Sequence, residues 1–269
     1  MTKQSRLHKT TFPKSTVASL TVGCLLAASS WLPAQAADDT IQIGVPMELS
    51  GRFVTFGTSG KRGVEMAVDA FKGRVAGKKI ELLLRDVQSD AQVTVQVLND
   101  LITQKKVNLL VGPISSAMVS AAIPAWRQGK PIWIAHGSTT PRTEEEVGAE
   151  PRFFHTYPYS YHYQAAMSAG LKQAIGTGKT AAILYADDAY GRAGLPAAKK
   201  YFAEAGFKLG VEELVRSGAS DLNPILQKVR QAKPDVLISL VQTNDLATLA
   251  KQVRIAGLDT PYLLSLIHI

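Results

Sequence analysis

Ser115 and Ser116 follow Val111-Gly112-Pro113 and precede a run of small apolar residues. Leu109-Leu110-Val111 reads as a strand and the serines as the start of a helix, where a hydroxyl can serve two purposes. It can cap the first-turn amides, a contribution of about 1 kcal/mol. It can also join those amides around an anion, because a helix N-terminus is a positive end with free N–H groups. On the local residues alone the plain cap is favoured. A second turn changes the balance: the apolar run Ile132-Trp133-Ile134-Ala135 leads into His136-Gly137-Ser138-Thr139-Thr140-Pro141, again small hydroxyl residues with a proline at a helix start.

Other clusters carry less. Gly176-Thr177-Gly178-Lys179-Thr180 looks like the end of a phosphate-binding loop, but Gln173 stands where that loop needs glycine, and the segment joins a helix to a strand. No Gly-x-Gly-x-x-Gly follows the first strand. His155 and His162, among Tyr157, Tyr159, Tyr161 and Tyr163, fall short of the three or four convergent ligands of a metal site, and read as an aromatic-packed hinge. Glu144-Glu145-Glu146 reads as the solvated first turn of a helix, and Trp126 and Trp133 as core. No nucleophile, base and orienting partner can be assembled from these motifs, so no cofactor, no metal and no enzymatic activity are expected.

The elements that must position the two turns alternate in period. Strands are expected at Ile41–Val45, Ile80–Leu84, Val107–Val111, Pro131–Ala135, Thr180–Tyr185, Lys208–Leu214 and Val236–Val241. Helices are expected at Gly60–Phe71, Asp90–Gln104, Ser116–Arg127, Tyr161–Ala174, Arg192–Ala205, Asp221–Gln231 and Asp245–Ile255. Strand, helix, strand repeated this often implies parallel sheets, and near-continuous apolar strands imply that both sheet faces are covered. About ten strands would make one sheet wide, and Glu150 to Tyr163 interrupts the rhythm with prolines and tyrosines. The expected fold is therefore α/β, with two doubly wound lobes, residues 37–157 and 158–263, and a cleft between them beyond the carboxyl ends of the strands.

The two ends read differently. Lys3, Arg6, Lys9 and Lys14, without an acid among them, precede an apolar run from Val17 to Leu32 and then Ala34-Gln35-Ala36, the order of a secretory signal cleaved after Ala36. Losing those four bases, from 30 bases against 22 acids, lowers the formal net charge from +8 to +4, so a nucleic-acid partner is not expected. The single cysteine, Cys24, lies in the signal, so the exported chain would have no disulfide and would depend on its core. Leu264-Ser265-Leu266-Ile267-His268-Ile269 matches what a sequencing adapter encodes in frame, and is read as foreign to a chain whose C-terminal part is missing.

Taken together, the signal, Leu49-Ser50-Gly51, the segment Gly57 to Gly63, Val111-Gly112-Pro113 with Ser115-Ser116, Ser138-Thr139-Thr140-Pro141 and Asp187-Asp188-Ala189-Tyr190-Gly191 resemble the branched-chain amino acid binding proteins of ABC importers. That resemblance implies the type I periplasmic binding protein fold, a monomer in the periplasm of a Gram-negative bacterium, and a membrane-embedded ABC permease as partner. It implies that Ser116, with Ser115 beside it, binds a ligand carboxylate. Thr139 of the Ser138-Thr139 pair would contact the amino acid head group, and the Gly137 carbonyl would accept from the ammonium. Tyr190 would join from the second lobe on closure, and Phe56 would lie near the ligand side chain. Gln242 stands where branched-chain binders have tyrosine, and His155 where they have arginine; an acid that holds the ammonium would lie beyond the end of this sequence. Four or five hydrogen bonds to charged groups, at about 1.5–3 kcal/mol each, could supply the roughly 8 kcal/mol of micromolar binding. A sensor module of the same fold is the alternative.

Overall fold

A computed structural model of the chain describes residues 40–264. The expected signal segment, residues 1–36 with Cys24, and Ser265 to Ile269 of the end expected to be foreign lie outside these residues.

The described residues form two sheets. In the first, β1 (Thr40–Met47) pairs in parallel with β3 (Lys78–Asp86) on one side and β4 (Leu109–Val111) on the other. β5 (Ile132–Ala135) and β6 (Phe153–His155) extend it, and the two-residue β2 (Arg74–Val75) closes the far edge antiparallel, giving the order β2-β3-β1-β4-β5-β6. In the second, β7 (Thr180–Ala186) lies between β8 (Lys208–Val215) and β9 (Val236–Leu240), with β10 (Tyr262–Leu264) outermost, and all pairs are parallel. The change of sheet falls between His155 and Thr180.

In both sheets the chain leaves the starting strand in one direction and later returns to its other side. In such sheets a crevice opens beyond the strand carboxyl ends where the direction reverses. Here the reversals lie between β1 and β4, and between β7 and β9.

Packing explains the apolar strands. Along β7, Ala182, Leu184 and Ala186 enter one core cluster while Ala181 and Ile183 enter another, and all five residues of β9 are buried. Successive side chains point to opposite faces, so a strand covered on both sides reads as continuous apolar sequence. The first sheet's core gathers Leu110, Val119, Ile123, Trp126 and Trp133, the two tryptophan rings lying 5.5 Å apart. Trp126 and Trp133 are core, as expected.

The helices follow the sequence with two corrections. α1 spans Val54–Ala70 and so begins six residues before the expected Gly60. Glycine costs about 1 kcal/mol inside a helix, so Gly57 argues against helix ahead of Gly60. A Cβ at Gly57 would lie 2.0 Å from the Glu48 carbonyl oxygen, so close backbone packing requires that glycine. α2 (Ala91–Asn99), capped by the Asp90 carboxylate on the Gln92 and Val93 amides, gives way to a π-helical turn over Asp100–Gln104, where one α-helix was expected. α3 (Ser116–Gly129), α4 (Pro141–Val147), α5 (Ser160–Ile175), α6 (Ala189–Glu204), α7 (Asn223–Ala232) and α8 (Thr243–Ile255) complete the set.

Asp86, at the end of β3, organises the turn after β1. Desolvation alone would raise its pKa, but hydrogen bonds from the Ser50 hydroxyl and the Gln88, Leu49 and Ser50 amides outweigh it and hold the carboxyl below its ordinary value of 3.8. A depressed carboxyl stabilises the fold above its unfolded pKa, and that contribution is lost as pH falls through the folded value. Denaturant midpoints measured across acid pH should therefore fall below pH about 3.8 more steeply for the wild type than for Asp86→Asn. Equal slopes would refute this role.

Candidate functional site

The carboxyl ends of β1, β4, β5, β7 and β9 converge on a cavity of about 410 Å³. From the first sheet it is lined by Phe53, Phe56, Ser115, Ser116, His136, Gly137 and Thr139, and from the second by Tyr190 and Gln242. Seven of the eight sequence-predicted site residues are thus brought together. Ser138 is not among the lining residues: it is fully buried, its hydroxyl bonds the Thr143 hydroxyl at 2.9 Å, and its carbonyl accepts from His155 Nε2.

Both serines are engaged where strand gives way to helix. Ser115 caps α3, its Oγ accepting from the Met118 amide at 3.3 Å. Ser116 Oγ accepts from the Thr139 amide at 3.1 Å and lies 3.4 Å from the Thr139 hydroxyl, which locks the two turns to each other. Gly112 makes the approach possible: its φ is +99°, a region that favours glycine, and a Cβ there would meet the Pro46 carbonyl oxygen at 2.5 Å.

Glu48 is a functional neighbour that sequence reading missed. It sits at the end of β1, fully buried, and accepts from the Ile114 amide at 3.1 and 3.2 Å and the Ser115 amide at 2.9 Å. Two amides of the turn that could have received a ligand therefore already hold an internal carboxylate. Burial raises the Glu48 carboxyl above its ordinary value, and these amide hydrogen bonds oppose the rise. The available signal was an acid placed directly after an apolar strand, but its partners lie 66 and 67 residues away.

His136 was also missed as a lining residue. Both its ring nitrogens are buried without a hydrogen-bond partner among the described residues. Burial, and then the neighbouring His155, lower its pKa, which favours the neutral ring. None of the described lining residues is Lys, Arg, Asp or Glu. With His136 neutral, the cavity offers hydroxyls, backbone dipoles and aromatic faces, and no formal charge. Such a site suits a small molecule with an apolar body and a polar end.

On the second sheet, Asp188 arranges the contributed side chains. Its Oδ1 accepts from the Gly191 amide at 3.0 Å, capping the helix that carries Tyr190, and its Oδ2 accepts from Gln242 Nε2 at 3.1 Å. Tyr163 lies behind the site, beside the Thr139 and Tyr190 hydroxyls, and burial raises its phenol. The tyrosine-rich segment is an aromatic stack: Tyr159 lies on His155 at 4.2 Å with rings 9° apart, and burial, with Glu144 adding, pushes the Tyr159 phenol up to about 12.

Known proteins share this architecture. The sequence model of a family described as periplasmic binding protein matches residues 40–268. The leucine-, isoleucine-, valine-, threonine-, and alanine-binding protein of Pseudomonas aeruginosa is 23% identical over 240 residues, covering 88% of this chain and 63% of that protein. A solute binding protein of an ABC transporter from Rhodopseudomonas palustris BisB5, solved with 3,4-dihydroxy benzoic acid, is 25% identical with a TM-score of 0.75, covering 84% of this chain and 61% of that one. The branched-chain amino acid transporter substrate binding protein LivJ from Streptococcus pneumoniae, solved with isoleucine, is 25% identical with a TM-score of 0.74, covering 84% of this chain and 64% of that one. The chain thus spans somewhat less than two thirds of the length of these relatives.

Proposed function

Because the chain belongs to the periplasmic binding protein family, we propose that it captures a small carboxylate-bearing solute for an ABC importer and delivers it to a membrane-embedded permease. The ligand is an amino acid of branched-chain type or a related carboxylate. Residues 1–36 direct export to the periplasm, and residues 37–157 and 158–263 form two lobes that close on the ligand. One observation carries this reading: Ser116 and Thr139 at the first sheet's reversal and Tyr190 and Gln242 at the second's line a single uncharged cavity. A ligand touching both sets favours the closed arrangement in proportion to the contacts it makes only there.

The Ser116 hydroxyl and the dipole of α3 hold the carboxylate, the Gly137 carbonyl accepts from an ammonium where the ligand has one, and Phe56 and Tyr190 cover the apolar body. No bond is made or broken.

A thermal-shift and calorimetric screen against amino acids, amides, urea and aromatic acids tests this. At least one carboxylate should bind in the micromolar range, and Ser116→Ala should weaken it about 10- to 100-fold, the equivalent of one hydrogen bond to a charged group. Tight binding of an uncharged compound with no carboxylate bound would overturn the anion assignment.

A further inference from the structure

Arg52 lies in the loop between β1 and α1, outside the cavity lining, yet its side chain reaches the second sheet's loops. Its guanidinium nitrogen Nη2 stands 3.0 Å from Asp245 Oδ2 and 3.3 Å from Asp188 Oδ2. The Arg52 carbonyl accepts from Asn244 Nδ2 at 2.7 Å. Arg52 thus engages two residues of the first turn of α8 and the cap of α6.

The two acids are not spare surface charges. Asp245 is held by the Gly218 amide at 2.8 Å and faces the Ser217 hydroxyl at 3.4 Å. Asp188 Oδ2, besides meeting Arg52, receives Gln242 Nε2, and its Oδ1 caps the helix of Tyr190. The side chains are 28% exposed for Arg52, 14% for Asp188 and 10% for Asp245. Partial shielding spares such a network the full solvent screening of an exposed pair without the full desolvation cost of a buried one.

We propose that Arg52 is a positioning residue: it clasps the first sheet's β1–α1 loop to Asp188 and Asp245, and so sets Tyr190 and Gln242 against the Ser116–Thr139 half of the cavity. The link is sterically economical, since one nitrogen meets both carboxylates. Its contacts depend on the two sets of loops lying together, so it favours the closed arrangement with or without ligand. The clasp rests on the cavity being a ligand site only for its effect on affinity; its effect on loop separation is independent of that reading.

The test has two readouts. Spin labels at Gln92 and Arg216, both exposed and each beyond a strand end of a different sheet, report separation without ligand in the chain lacking residues 1–36, which holds no other cysteine. Calorimetry with isoleucine and 3,4-dihydroxybenzoate as probes reports affinity. Arg52→Ala should shift the label distances to longer values and weaken any bound probe about 10-fold, while Arg52→Lys restores part of both. Asp245→Asn should add little once Arg52 is removed, as expected for partners in one network. Unchanged distances in Arg52→Ala would overturn the clasp, including where affinity falls. Were neither probe to bind the wild type, the ligand assignment would suffer and the distance shift would still decide the clasp.

Discussion

Glu48→Ala is expected to destabilise the fold by about 2–6 kcal/mol, because it strands two amides, those of Ile114 and Ser115, at about 1–3 kcal/mol each. The lost interaction lies directly under the turn that presents Ser115 and Ser116, so ligand affinity should fall with stability. Glu48→Gln keeps an acceptor oxygen and should cost less. The same pair of proteins carries a pH signature. The Glu48 carboxyl is raised by burial, so the folded state holds its proton more tightly than the unfolded chain does. The contribution of Glu48 to stability is then greatest at pH values below its ordinary carboxyl value and declines as pH rises through the raised one. The stability difference between wild type and Glu48→Gln, measured by denaturant unfolding, should therefore shift against the wild type as pH rises above about 4.5. A difference flat with pH would contradict the raised value. The Asp86 effect has the opposite sign and lies at more acid pH, so the two are separable in one titration series.

Trp133→Ala should cost about 3–5 kcal/mol, the usual range for deleting a large buried aromatic side chain. The ring is fully buried, lies 5.5 Å from Trp126 and 5.2 Å from Phe153, and donates its indole N–H to the Gly112 carbonyl at 2.7 Å. Its removal opens a cavity in the first sheet's core and frees the carbonyl immediately before the Pro113–Ser116 turn. Trp133→Phe fills most of the space but lacks the donor, so it isolates the hydrogen bond and should cost less than the alanine variant. An unfolding free energy within about 0.5 kcal/mol of wild type for Trp133→Ala would contradict this packing.

Much of this was legible in the sequence, for a specific reason. Ser116 and Thr139 stand just beyond apolar strands, and parallel strands with covered faces announce themselves as continuous apolar runs such as Leu109–Val111 and Val236–Leu240. The two turns that carry them can thus be found by counting, without knowing how strands pair, whereas Tyr190, Gln242 and Phe56 came only from the family resemblance. What stayed hidden depends on approach between distant segments. Glu48 meets Ser115 across 67 residues and Arg52 meets Asp245 across 193, and no local pattern marks either pair. The early start of α1 was masked by Gly57, whose necessity is visible only once the Glu48 backbone is seen against it. Ser138 shared the composition of its neighbours, yet the turn directs its hydroxyl to Thr143.

The central claim is that the cavity spanning the two sheet reversals holds the ligand by its carboxylate. A crystal structure of the chain with the tightest-binding carboxylate of the screen tests it most directly. The carboxylate should lie within hydrogen-bond distance of Ser116 Oγ, with the apolar body between Phe56 and Tyr190. A ligand bound elsewhere, or one seated in the cavity with its carboxylate turned away from the start of α3, would contradict the account.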